Sequence, residues 1–144
     1  MKVNKLRVVL DTNVLMVSFL PHHKHFWVYE ALENQLYTLI LSNEILEEYY
    51  EKIAERYNPN VADMITFGLP NLKNAVKISP TYRFTLIKDD PDDDKHVDCA
   101  VAGSADFIVT HDKHFDVLRT IEFPIVKVIT LEEFRKILND LKDS

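Results

Sequence analysis

The sequence predicts an α/β fold, three layers deep, with helices covering both faces of a central, mainly parallel sheet. Two observations carry this. Short apolar runs alternate with longer amphipathic ones, which is the βαβ pattern. Two of the apolar runs also lead into an acid in the same way: Val8-Val9-Leu10 runs into Asp11-Thr12-Asn13, and Phe107-Ile108-Val109 into Thr110-His111-Asp112. In an open parallel sheet, ligands sit outside the carboxyl ends of the strands, so both acids are expected at one rim.

Strands are expected near 6–10, 37–41, 76–78, 107–109 and 125–129. A first turn or short helix starts near Asn13, and a helix over 22–34 carries Phe26, Tyr29, Ala31 and Leu32. From Asn43 to Tyr57, Ile45, Leu46, Tyr49, Tyr50 and Ile53 recur at helical spacing, with Ser42 placed to cap the first turn. A shorter helix over 60–68 stops at Gly68-Leu69-Pro70. Asp92 or Asp93 caps a helix that runs through Ala102, with Gly103 as its terminator. The last helix opens on the capping box Thr130-Leu131-Glu132-Glu133 and turns Phe134, Ile137, Leu138 and Leu141 to one face.

At 144 residues, 47% of them hydrophobic, the chain has the size of one compact domain, and residues 1–144 are read as such. Two glycines and no Ser-rich or Pro-rich run leave no candidate linker, and no internal repeat is visible. The single Cys99 cannot form an internal bridge and reads as small core filler, which suits a reducing, cytoplasmic setting. No basic segment leads into an apolar run with a cleavage site, and no apolar run approaches the roughly 20 residues of a membrane span. Neither secretion nor a membrane partner is expected. The net charge of -6 argues against a protein that coats a duplex, although a cation held among carboxylates reverses the local sign and can meet a phosphate.

The acids are dense between positions 89 and 98, where Asp89-Asp90-Pro91-Asp92-Asp93-Asp94-Lys95 precedes Asp98. Asp94 and Asp98 are four apart and share a helical face. Two carboxylates about 4 Å apart repel by roughly 4 kcal/mol at an effective dielectric of ~20, and a divalent ion turns that cost into a binding site. Carboxylates without a thiolate cluster select Mg²⁺ or Mn²⁺ over zinc. The plainer reading of Asp92, Asp93 and Asp94 is first-turn acids that complement the helix dipole. Asp11 is harder to explain that way, because an acid directly after Val8-Val9-Leu10 is partly withdrawn from water, and Thr12 and Asn13 already offer capping chemistry.

Four ordered stretches resemble the signature blocks of the PIN domain family, most of all its toxin members from toxin-antitoxin pairs. They are Val9-Leu10-Asp11-Thr12-Asn13; Ser42 with Ile45-Leu46-Glu47-Glu48; Asp90-Pro91-Asp92-Asp93-Asp94 with Val97 and Ala100; and Val109-Thr110-His111-Asp112. The resemblance spans almost the whole chain and implies a PIN-like fold and a metal-dependent ribonuclease. Its acids fall on Asp11, Glu48, one of Asp93 and Asp94, and Asp112, with Asp98 as an additional acid. Asn13 and Thr110 match the polar residues that support the first and last acids. Asp93 shares a face with Val97 and Ala100, whereas Asp94 lies above Asp98, so both stay candidates. Glu48 rests on the family pattern alone, since Glu47 and Glu48 both lie off the apolar stripe.

The expected chemistry is hydrolysis of an RNA phosphodiester by water activated at one or two Mg²⁺ or Mn²⁺ ions, with no side-chain nucleophile. Lys88, Lys95, Lys113 and Arg83 are candidates for phosphate contacts, and Phe115 or Trp27 for base stacking, against plainer readings as solvated charges and core aromatics. His22, His23 and His25, and separately His111 and His114, read as surface histidines more readily than as zinc ligands. Resemblance also implies a homodimer, with apolar helical surface near Phe26, Trp27 and Tyr50, and an antitoxin protein as a possible partner. Two other α/β readings of these acids fit less well. A phosphoaspartyl phosphatase wants a second acid where Asn13 stands, and a response-regulator receiver wants an early acidic pair that Val8-Val9-Leu10 does not provide. The remaining rival is a non-catalytic PIN-like module that binds RNA or protein.

Overall fold

The computed structural model describes residues 6–81, 94–111, 113–121 and 125–142. Within them, β1 (Leu6–Leu10) lies at the centre of a five-stranded sheet with β2 (Tyr37–Leu41), β3 (Ala75–Lys77), β4 (Phe107–Val109) and β5 (Val128–Ile129). The order is β3-β2-β1-β4-β5 and every pairing is parallel. Val8 lies opposite Leu39 on one side and Phe107 on the other. Helices flank the sheet in a three-layer α/β/α arrangement, as the alternating pattern predicts.

Burial on both faces explains why the central strands are apolar without alternation: Val8, Val9, Leu39, Ile40, Leu41, Ile108 and Val109 are all fully buried. The chain runs outward from β1 in two directions, to β2 and β3 on one side and to β4 and β5 on the other. The crevice outside the carboxyl ends of β1 and β4 is therefore the topological switch point, where such folds place their ligands. The β1–β4 ladder runs one residue beyond the strands, with the Asp11 amide donating to the Val109 carbonyl at 3.0 Å.

The helices are α1 (Thr12–Met16), α2 (Phe26–Glu33), α3 (Asn43–Arg56), α4 (Pro59–Gly68), α5 (Asp94–Ala102) and α6 (Leu131–Lys142). Three caps behave as the sequence suggests or in kind. Ser42 accepts from the Ile45 amide, Asn58 accepts from the Val61 amide with Pro59 at the first helical position, and Thr130 and Glu133 exchange the reciprocal bonds of a capping box. Phe134 of α6 packs against Tyr37, Phe107 and Trp27, which anchors the last helix to the sheet.

Several boundaries differ from expectation. The helix expected from residue 22 begins at Phe26, because Pro21 to His25 form turns in which the Leu20 amide donates to His23 Nδ1. The third strand is 75–77, one residue early, although the Ile78 amide still bonds to the Leu41 carbonyl. The fifth is only Val128–Ile129, with Ile125 exposed, so apolar character at 125 does not mark a strand. Asp92 and Asp93, proposed as the cap of α5, lie outside the described residues.

At the end of α5 the left-handed residue is Ser104 (φ 53°), while Gly103 keeps an ordinary backbone. Gly103 is required for close approach: a Cβ there would stand 2.4 Å from Ile40 Cγ2 and 3.0 Å from the Cys99 carbonyl oxygen. The same turn is tied to β1 by Arg7, whose guanidinium donates twice to the Gly103 carbonyl and whose amide donates to Asp106.

Candidate functional site at the β1 and β4 strand ends

Asp11 stands where the apolar run of β1 ends, and its residue is only 3% exposed. Its side chain does not cap α1. Instead, Thr110, at the end of β4, donates its hydroxyl to Asp11 Oδ2 at 2.8 Å. A charge-assisted bond of this kind offsets part of the cost of holding a carboxylate away from water. The Tyr49 hydroxyl, fully buried on α3, donates to the Leu10 carbonyl at 2.6 Å and so fixes the backbone just before Asp11. Burial above all, then Cys99, Asp11, Tyr37 and Glu48, hold the Tyr49 phenol well above its ordinary range, so it stays a donor.

Glu48 reaches the same rim from α3. Its Oε2 accepts from the Thr12 hydroxyl, its Oε1 pairs with Lys95 Nζ at 3.1 Å, and His96 Nε2 lies 3.6 Å from Oε2. Thr12 is the residue after Asp11, and its Oγ1 is also 3.3 Å from His96 Nε2. A chain of polar contacts therefore joins the β1–α1 corner, α3 and α5. Burial pushes the Glu48 carboxyl upward, but the Thr12 hydroxyl, His96 and Lys95 outweigh it and hold the group below the usual carboxylate range.

Asp94 and Asp98 sit on α5 and are buried, at 8% and 3% exposure. Among the described residues, no three His, Cys, Asp or Glu side chains form a group that could hold a metal ion. Two of the expected acids, Asp93 and Asp112, lie outside the described residues. The four described acids, Asp11, Glu48, Asp94 and Asp98, supply only hard oxygen donors, and all are withdrawn from water. Such oxygen donors suit a hard divalent cation.

A family model for the PIN domain matches residues 7–114, three quarters of the chain and all of the elements from β1 to β4. The chain belongs to the PIN domain family. The fold of this PIN domain is also similar to that of VapBC2 from Rickettsia felis, solved bound to a DNA fragment from its promoter. The TM-score is 0.60 at 14% identity, over 87% of this chain and 98% of that one. No curated protein matches the sequence.

The PIN-domain structure distinguishes Glu48, half-buried and turned to Thr12 and His96, from Glu47, which is exposed. It also separates Thr110, bonded to Asp11, from Asn13, which is exposed on α1. The neighbouring Thr12, expected only as a cap, is the residue turned into the site. Lys95 is paired with Glu48 and is not a free phosphate contact. Phe115 is fully buried and meets the His96 ring edge-on, so it is a core aromatic first, whereas Trp27 is half-buried between Phe134 and Arg135. Lys88 and Arg83 lie outside the described residues, as do the side chains of Lys113 and His114.

Cys99 matches its plainer reading, whereas His23 and His25 are half-buried and not simple surface histidines. Cys99 is buried, and burial together with Asp98 pushes its thiol up to about 12 against a weaker opposing bond from Ser42, which suits filler and not a nucleophile. His23 Nε2 meets the Tyr57 hydroxyl at 3.0 Å. His25 is held below its usual range by burial, with Lys24 and His111 adding to the effect. Among the described residues, no helix is long and apolar enough to cross a membrane.

His96 is the residue that the sequence reading passed over. One histidine among six acids carries no motif, and its only sequence signal is its place one turn before Ala100 on the inward face of α5.

Proposed function

We propose that this PIN domain is a Mg²⁺- or Mn²⁺-dependent endoribonuclease that hydrolyses RNA phosphodiester bonds, acting as the toxin of a toxin-antitoxin pair. The observation that carries the reading is Asp11: a buried carboxylate at the switch point of a parallel sheet, oriented by Thr110 and adjoining the Thr12–Glu48–His96 contacts. In this reading Asp11, Glu48, Asp93 or Asp94, and Asp112 are the acids, Asp98 completes the pocket, and Thr110 and Asn13 support it. Family membership favours a nuclease, and the likeness to a VapBC2 complex favours an antitoxin as protein partner.

When bound, a dication would lower the pKa of a water, orient the phosphate and stabilise charge in an in-line displacement. The chain's own contribution is positional. Asp11 would help hold the cation, with its carboxylate oriented by the Thr110 hydroxyl at Oδ2. Tyr49 keeps the β1 end from shifting by holding the Leu10 carbonyl. Glu48, ionised across the neutral range, adds a second negative oxygen, and Lys95 limits the charge that accumulates there. A homodimer is part of the proposal, with the α2 surface near Phe26 and Trp27 and the α3 residue Tyr50 as its candidate face.

Incubating the purified protein with short single-stranded RNA, with Mn²⁺ and then with EDTA, tests the assignment. Cleavage that requires Mn²⁺ and disappears in Asp11→Asn supports it. RNA binding without cleavage would favour the non-catalytic module instead.

A further inference from the structure

We infer that His96 is a positioning residue, which acts through the Thr12 hydroxyl to hold the Glu48 carboxylate in one pose at the rim. The inference rests on the reading of Glu48 as part of the proposed acidic site. It concerns a residue to which neither family membership nor the sequence pattern assigns a role.

The argument is one of donors and acceptors. Thr12 has a single hydroxyl proton, and it is directed at Glu48 Oε2. Its oxygen is then an acceptor toward His96 Nε2, 3.3 Å away. Two acceptors do not bond, so Nε2 must carry a proton. The Glu48 contact agrees: Oε2 stands 3.6 Å from the same nitrogen, too long for a good hydrogen bond but close enough that an N–H is attractive and a lone pair repulsive. The result is a directed chain, from His96 Nε2–H to Thr12 Oγ1 and from the Thr12 hydroxyl to Glu48 Oε2.

The chain's ends are fixed. His96 is fully buried on α5 and its ring meets Phe115 edge-on, with centroids 6.1 Å apart. Lys95, its neighbour, takes the other Glu48 oxygen. A glutamate has three torsions to order, and here both of its oxygens are held from α5 and the β1–α1 corner before any ligand arrives. If packing were the only demand, Phe or Leu would fill the position without the cost of burying an imidazole.

Long-range ¹H–¹⁵N correlation spectra of the metal-free protein test the chain directly. Protonation of His96 at Nε2 is expected, and a ring protonated only at Nδ1 would overturn the proposal. Calorimetric titration with Mn²⁺ tests the consequence. His96→Phe and Thr12→Val should each weaken Mn²⁺ binding about 10- to 100-fold, while His96→Gln, whose amide can donate from a similar place, recovers most of the loss. Equal weakening in His96→Gln and His96→Phe would reduce His96 to packing and also overturn it. Should His96→Phe fail to fold, Thr12→Val and the tautomer decide the matter. A wild type that binds no Mn²⁺ strikes at the proposed function, and the tautomer then decides the His96 chain alone.

Discussion

The Thr110 hydroxyl donates to Asp11 Oδ2 across the one gap in the sheet where neighbouring strands lead away in opposite directions. The bond joins residues 99 apart in sequence, and it exists because β1 and β4 pair in parallel with Leu10 opposite Val109. Each strand's next residue then projects from the same rim. Thr110→Val keeps the shape and removes the donor. It should lower kcat/KM for RNA about 10- to 100-fold, with Thr110→Ser restoring most of it. Initial rates at saturating Mn²⁺ would show this, and wild-type rates in Thr110→Val would mean that other groups set the Asp11 rotamer.

Asp11 itself should separate chemistry from folding. Asp11→Asn is expected to abolish cleavage while keeping the circular dichroism spectrum of the wild type, because an amide can still accept from Thr110. Without metal its melting temperature should equal or exceed that of the wild type, since an amide is cheaper to bury than a carboxylate. Mn²⁺ should stabilise the wild type, by about 2.7 kcal/mol at a hundredfold excess over Kd, and stabilise the variant much less. A variant that melts well below the wild type in EDTA would show that Asp11 is primarily structural.

Much of this was legible because apolar runs and acids are strong local signals. Val8-Val9-Leu10 can only be a strand buried on both faces, so the acid that follows it had to lie at the rim. Choosing Glu48 over Glu47 was beyond periodicity for a definite reason. The side of α3 that carries Glu48 faces polar groups of α5 and the β1–α1 corner and not the apolar core, so no stripe marks it. Thr12 was misjudged because a hydroxyl after a strand resembles a cap, and its true partner lies 36 residues away. Gly103 was placed at the right helix end for an incomplete reason, since the constraint comes from Ile40 on another element.

Acid stability offers a test of the Glu48 contacts without metal. In the folded protein this carboxyl is held below its ordinary value of 4.5, so the unfolded chain binds more protons between the two values. The stabilisation is present above about pH 4.5 and is lost as pH falls through the folded value. Glu48→Gln removes that titration. In EDTA, the melting temperature of the wild type should therefore fall more steeply below pH 4.5 than that of Glu48→Gln. Parallel curves would mean that Thr12, His96 and Lys95 do not favour the ionised form.

The two glycines should respond to alanine with opposite signs. Gly103 has an ordinary backbone, so strain is not the issue, but the new methyl would meet Ile40 Cγ2 at 2.4 Å, against a sheet residue that is fully buried. Overpacking of this kind costs about 1 to 3 kcal/mol. Gly68 closes α4 with helical φ and ψ of -72° and -39°, and nothing lies within 4 Å of a Cβ built there. Gly68→Ala should gain about 0.5 to 1 kcal/mol by restricting the unfolded chain. Urea denaturation of both variants measures the difference. A neutral Gly103→Ala would show that α5 can slide away from β2, which would also loosen the placement of His96 and Lys95 against Glu48.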